Sequence, residues 1–276
     1  MLDKKMSNKK KDKFVSGKNI VLDLDSTLIC SFLDTDHVMR TMKCKYGEKL
    51  NSLVNSGQIS QITVPNFGGS GTSTVYHVVK RPGLTKFLNF CSQNFDNVIV
   101  WSAGHPRYVN EIVRILDKDE TIFTSIYTSN HTVMYVRDRY KNSMVPLEPG
   151  ISMQSCPDIV YSSKPLKKIT IDHPEVTLNN TVIVDDLSCN FGLDNPKNGI
   201  LIPSFKPTVE DLLFESEKKL QVIGNDLTLF KLIHYFSDDA FSCIENVRNY
   251  DLKFFKERSS GFSCRSFDME TLSLAD

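Results

Sequence analysis

The chain predicts an α/β protein built on a doubly wound parallel sheet. Short, continuous apolar runs stand at 19–24, 97–101, 181–184 and 199–203, each bounded by polar or Gly/Pro punctuation. Helical patterns fall between them, and unbroken apolar strands alternating with helices belong to a sheet covered on both faces. Acidic or hydroxyl residues directly follow three of the runs, where such sheets gather their ligands.

The opening segment carries Lys4, Lys5, Lys9, Lys10, Lys11 and Lys13 with almost nothing apolar to bury, so 1–15 reads as a basic disordered tail. One domain is expected over 16–256, and 276 residues with 40% hydrophobic composition give it ample core. The first run, 19–24, is followed by an insertion at 34–79. Within it Gly68-Gly69-Ser70-Gly71 reads as a hairpin tip, because Ile62-Thr63-Val64 and Thr74-Val75-Tyr76 flank it like paired strands. The cluster lacks the Gly-Lys-Ser/Thr ending of a phosphate-binding loop.

After Lys80-Arg81-Pro82-Gly83, Leu84, Phe87, Leu88 and Cys91 mark an amphipathic helix. The strand at 97–101 leads to a second helix, opened by Pro106 and striped by Val109, Ile112, Val113 and Leu116. Pro146, Pro149, Gly150 and Pro157 make 135–161 read as a long loop beside a cleft. Strands at 181–184 and 199–203 complete the sheet, helices at 208–220 and 227–236 cover it, and 257–276 reads as a Ser-rich tail.

Lys+Arg and Asp+Glu balance at 33 each, so no global field draws the chain to nucleic acid or to an anionic membrane. No stretch approaches a membrane span, and the N-terminus lacks a signal-peptide core. Seven scattered cysteines without a Cys-x-x-Cys pair favour a reducing intracellular compartment, nucleus or cytoplasm.

Asp23 and Asp25 stand at the end of the first run, after Asn19-Ile20-Val21-Leu22, while Ser102 follows the second and Asp185 and Asp186 the third. If those strands are neighbours, up to four carboxylates converge on one small volume. Such a cluster needs a cation, and hard oxygen donors with open positions suit Mg²⁺ and phosphate chemistry.

These residues bring out a resemblance to the haloacid dehalogenase (HAD) superfamily, and within it to the FCP/SCP-like, or NIF-like, phosphatases of the RNA polymerase II C-terminal domain. The signature Asp-Leu-Asp-x-Thr-Leu is met by Asp23-Leu24-Asp25-Ser26-Thr27-Leu28. The Lys-Arg-Pro-Gly element follows at 80–83, a Phe-Thr-Ala-Ser-like strand end at Trp101-Ser102-Ala103-Gly104, and a Tyr-x-Lys-Asp-Leu-like element at Tyr161-Ser162-Ser163-Lys164-Pro165-Leu166. Asp185-Asp186 supplies the closing acidic pair. Ser102 stands for the usual Thr, Gly104 for a frequent Ser and Pro165 for Asp, so the site resembles an atypical member.

The resemblance implies a capless HAD fold and a Mg²⁺-dependent phosphoserine/phosphothreonine phosphatase acting on a phosphorylated protein or peptide, with the polymerase tail as a candidate substrate. Asp23 is then the nucleophile that becomes an aspartyl-phosphate, and Asp25 the general acid and base. Mg²⁺ is held by Asp23, the Asp25 carbonyl and Asp186, with Asp185 ordering the metal's waters. Ser102 bonds a phosphoryl oxygen, Lys164 neutralises charge on it, Thr27 positions the nucleophile loop, and Arg137 stands near the substrate phosphate.

Simpler readings stand beside these. Asp-x-Asp-x-Thr also suits a capped turn, Ser102 suits a helix cap, and Lys167 and Lys168 compete with Lys164. His105 and His173, each beside a proline, read as loop histidines. The fold also hosts phosphatases of small molecules or nucleic-acid ends, and non-catalytic adaptors. Adaptors typically lose the aspartates that are all present here.

Overall fold

The computed structural model describes residues 15, 17–65, 72–138, 143–147, 160–213 and 226–250. Both tails, the glycine cluster, most of 208–220 and parts of 135–161 lie outside the described residues. The N-terminal half runs through strands β1 (Asn19–Leu22) and β2 (Ile29–Leu33) and helices α1 (His37–Lys45) and α2 (Gly47–Asn55). Strands β3 (Ile59–Pro65) and β4 (Ser73–Lys80), helix α3 (Leu84–Asn94), strand β5 (Asn97–Trp101) and helix α4 (Pro106–Leu116) follow. Strands β6 (Ser125–Tyr127), β7 (Val133–Asp138), β8 (Ser143–Pro146) and β9 (Val160–Ser163) lead to α5 (Lys167–Asp172) and β10 (Thr181–Asp185). The chain then forms α6 (Cys189–Gly192), β11 (Gly199–Leu201), α7 (Val209–Leu213), α8 (Thr228–Phe236) and α9 (Asp239–Ser242).

The central sheet has the order β11-β10-β1-β5-β6, and all its pairs are parallel. Its faces are covered by different helices. Ile20 and Leu22 pack with Leu84, Phe87 and Leu88 of α3, Val109 and Ile112 of α4, and Leu229 and Leu232 of α8. Val21, Ile99, Trp101 and Ile183 point the other way, toward Leu166, Ile169 and Phe191. Burial on both faces is why these strands read as continuous apolar runs. The expected doubly wound sheet is therefore observed, with the short edge strand β6 added.

The insertion after β1 forms an antiparallel sheet of order β2-β4-β3. Ile62 pairs with Tyr76, Thr63 with Val75 and Val64 with Thr74, as the hairpin reading expects. Met39 and Met42 of α1 and Leu50 and Leu53 of α2 pack on Ile59 and Val79 of this sheet. The turn into α3 depends on Gly83, whose φ is 78°. A Cβ there would also lie 2.8 Å from the Phe230 ring, so glycine is required twice over.

The loop expected at 135–161 is a correction. The structure places β7, β8 and β9 in a third, antiparallel sheet of order β8-β7-β9. The prolines that suggested a loop are compatible with it, since Pro146 ends an edge strand. No described helix is long and apolar enough to cross a membrane.

Candidate active site

The register of the central sheet brings three strand ends together. Leu22 of β1 pairs with Val100 of β5 on one side and Val184 of β10 on the other. Asp23, Ser102 and Asp185-Asp186 therefore leave the same edge on adjacent strands. The Asp23 N–H donates to the Val184 carbonyl at 3.1 Å, which continues the β1–β10 ladder into the site.

Beyond Asp23 the chain coils tightly. Leu28 N–H and Ile29 N–H both donate to the Leu24 carbonyl, at 2.8 and 3.1 Å, and Ser26 N–H donates to Ile29 O at 2.7 Å. Ser26 takes a left-handed φ of 61° to make this possible. Leu24 and Leu28 are anchored in the core, and Asp25 between them is left partly open to solvent. Arg81, buried, fixes the coil from behind: it donates to Thr27 O at 2.9 Å, Pro203 O at 2.7 Å, Thr228 Oγ1 at 3.0 Å and Asp226 Oδ2 at 2.9 Å. Lys-Arg-Pro-Gly is thus a junction between the Asp23–Thr27 coil and the start of α8.

At the centre, fully buried Lys164 donates to Asp23 Oδ1 and to Asp185 Oδ2, each at 2.6 Å. Lys167 and Lys168 belong to α5, and Lys168 reaches the Thr132 carbonyl, so neither competes for this position. Asn190 Nδ2 lies 2.9 and 3.0 Å from the two Asp185 oxygens, and Leu187 N–H donates to Asp185 Oδ1 at 2.8 Å. Asp186 N–H donates to Thr27 Oγ1 at 3.1 Å, and that hydroxyl reaches Asp186 Oδ1 at 3.4 Å. Ser204 Oγ also donates to Asp186.

Burial outweighs the attraction of Lys164 and pushes the Asp23 carboxyl up to about 7, with Asp185 and Asp25 adding to the rise. Burial alone would lower the Lys164 ammonium, but Asp23 and Asp185 outweigh it and hold the group above its ordinary value. Asp23, Asp185 and Asp186 each offer a carboxylate oxygen, all within 4.8 Å of one another. Three hard carboxylate donors, two of them on the Lys164 ammonium and one pushed toward protonation, fit a divalent cation of the Mg²⁺ type.

Asp25 lies off this cluster and is half-buried. Burial raises its pKa, opposed by hydrogen bonds from Tyr108 and Ser31. Tyr108 Oη donates to Asp25 and is 2.6 Å from Ser31 Oγ. Ser102 is buried and its Oγ accepts from Gly104 N–H at 3.0 Å. The α4 cap is instead His105, whose Nδ1 accepts from Arg107 N–H at 3.2 Å, and His173 sits in the turn after α5 beside Glu175. Arg137 is in β7 opposite Met144, and its side chain lies outside the described part of the structure.

Sequence reasoning missed Tyr108, Ser31, Asn190 and the junction made by Arg81. Arg81 was signalled by the Lys-Arg-Pro-Gly element itself. Tyr108 lies four residues before Ile112 on the buried face of α4, where spacing reads it as core and nothing links it to Asp25.

A family profile described as NLI interacting factor-like phosphatase matches residues 18–247. Nuclear envelope morphology protein 1 of Schizosaccharomyces pombe is 32% identical over 42% of this chain and 20% of its own length. The Saccharomyces cerevisiae protein of that name is 27% identical over 71% of this chain and 37% of its own length. The CTD phosphatase-like protein 355R of Invertebrate iridescent virus 6 is 28% identical over 45% of this chain and 59% of its own. This chain therefore matches 20% to 59% of the length of those relatives. A solved structure of the fission yeast RNA polymerase II CTD phosphatase Fcp1 superposes with a TM-score of 0.48 at 15% identity, over 93% of this chain and 66% of that one. With 18–247 matched and the family's acidic motifs gathered at one sheet edge, the chain belongs to the NLI interacting factor-like phosphatases.

Proposed function

We propose that this chain is a Mg²⁺-dependent phosphoserine/phosphothreonine protein phosphatase that works through an aspartyl-phosphate on Asp23. The observation that carries the reading is the buried Lys164 bridging Asp23 and Asp185, with Asp186 close enough to complete a three-carboxylate cation site.

Asp23 attacks phosphorus in line; an Asp23 O–P bond forms and the ester O–P bond breaks. Asp25 gives its proton to the departing alkoxide. It then takes a proton from the water that attacks the aspartyl-phosphate, releasing phosphate and restoring Asp23. Lys164 stabilises the charge on Asp23 and the phosphoryl group, Ser102 supplies a hydroxyl donor to a phosphoryl oxygen, and Thr27 holds Asp186. Asp23, Asp186 and the Asp25 carbonyl would hold the cation, with Asp185 beside them. When bound it screens the carboxylate from the phosphate that must approach it. Arg137 is retained as a candidate contact to the substrate phosphate.

A protein substrate is favoured because the site opens to the surface. Asp25 and Asp186 are half-buried, and Leu187 and Ser188 beside them are exposed. The polymerase C-terminal domain is one candidate, in keeping with a matched relative whose name is CTD phosphatase-like. A nuclear or cytoplasmic setting accords with such substrates. The test is hydrolysis of an aryl phosphate and of a phosphoserine heptad peptide by wild type and Asp23→Asn, with Mg²⁺ and with a chelator. Turnover that needs both Asp23 and the metal supports the reading, and no turnover of any phosphate by the folded wild type overturns it.

A further inference from the structure

An apolar cavity of about 290 Å³ is walled by Met144 and Tyr161 from one part of the chain and by Cys189, Phe191, Gly192 and Leu193 from the segment that follows Asp185-Asp186. The mechanism uses none of these side chains, yet both walls are tied to residues it does use. Tyr161 stands three residues before Lys164 on the extended chain of β9, which at ~3.3 Å per residue places it roughly 10 Å away along the backbone. Cys189 opens α6 three residues after Asp186, and Asn190 in the same helix bonds both oxygens of Asp185. Two leucines here are open to solvent: Leu187, next to Asp186, is 52% exposed, and Leu193, in the cavity wall, 41%. A bound chain lying over Leu187 and Leu193 would take that apolar surface out of water.

We propose that this cavity is a specificity subsite that takes an apolar side chain of the phosphoprotein substrate, two or three positions from the phosphorylated residue. An extended peptide with its phosphate at Asp23 advances ~3.3 Å per residue, so two or three residues span the distance to Tyr161. Leu187 and Leu193 line the way. The volume sits near the lower end of the range for ligand pockets, which suits one side chain better than a folded partner. The inference rests on the phosphatase reading and adds a selectivity that the acidic cluster alone would not have.

Gly192 lines the cavity and offers the test. A Cβ built there meets no atom within 4 Å, so a side chain can be started at this wall without a backbone clash, and Gly192→Phe is the filling variant. Phosphoserine peptides carrying Leu or Ser at each position two and three residues to either side are compared with an aryl phosphate, using the full chain with Mg²⁺. Wild type is expected to favour one Leu peptide by about tenfold in kcat/KM, mostly through KM. Gly192→Phe should abolish that preference while aryl phosphate turnover stays within about twofold. Leu193→Ser, at an exposed position, should weaken the preference if the Phe variant folds poorly. Wild type that turns over the aryl phosphate but ranks all the peptides equally overturns the subsite alone. So does a preference that both variants leave intact. Absence of aryl phosphate turnover in wild type overturns the phosphatase reading, and the subsite with it.

Discussion

The Lys164 ammonium lies 2.6 Å from Asp23 Oδ1, and the lysine side chain is wholly shielded from solvent. It is equally close to Asp185 Oδ2, so one buried cation serves two buried carboxylates. Removing it strands both anions. Lys164→Ala should therefore lower stability in chelator by about 3 kcal/mol, read by denaturant unfolding. It should also reduce kcat by about 10²-fold or more. Lys164→Arg should rescue neither, because a planar guanidinium does not fit a slot built for a single ammonium.

Asp23 sets a pH dependence for the metal-free protein. Burial raises its folded-state pKa from 3.8 to about 7, so between those values the folded state holds a proton that the unfolded state has released. Stability from this group is full below about pH 4 and is lost as pH rises through about 7. Asp23→Asn in chelator should accordingly gain on wild type over that interval, and Mg²⁺ should stabilise wild type more than the variant. Unfolding at a series of pH values with and without Mg²⁺ checks both.

Thr27 acts on the cation site through Asp186, accepting from its N–H at 3.1 Å and reaching its carboxylate at 3.4 Å. Thr27→Val should raise the Mg²⁺ concentration for half-maximal activity by about 10-fold to 100-fold. Thr27→Ser should restore it, and a metal titration of aryl phosphate turnover distinguishes the two.

Tyr108 stabilises the ionised form of Asp25 by donating to it, against the burial that raises its pKa. Tyr108→Phe removes the donor, so the limb of the pH–rate profile that reports Asp25 should move to higher pH. The kcat at neutral pH should fall by about tenfold. A profile displaced toward lower pH would contradict this assignment.

Arg81 makes four hydrogen bonds from a buried position, one of them to Asp226. Arg81→Met should cost about 3–5 kcal/mol of stability, since it takes the cation from Asp226 and the donor from two carbonyls. Arg81→Lys should recover little, because a single ammonium does not reproduce a fork that bonds Thr27, Pro203 and Asp226 together.

How legible each part is in the sequence follows from its burial. β1, β5 and β10 are covered on both faces, so the sequence shows them as unbroken apolar runs, with Asp23, Ser102 and Asp185 punctuating their ends. β7, β8 and β9 are short, and prolines stand at the end of β8 and in the chain between β8 and β9, so periodicity alone suggests a loop. Asp23, Lys164 and Asp185 are legible through motif order, because chemistry fixes their types at separated positions. Tyr108 and Asn190 are not, since each acts by a hydrogen bond that only the folded chain creates.

The central claim is that Asp23 itself carries the phosphoryl group during turnover. Acid quenching of wild type during Mg²⁺-dependent turnover of a phosphoserine peptide, followed by proteolysis and mass spectrometry, reads it directly. The account predicts a phosphoryl mass increment on Asp23, absent in Asp23→Asn and in chelator. Steady turnover with no increment on Asp23, or with the phosphoryl group on another residue, would contradict it.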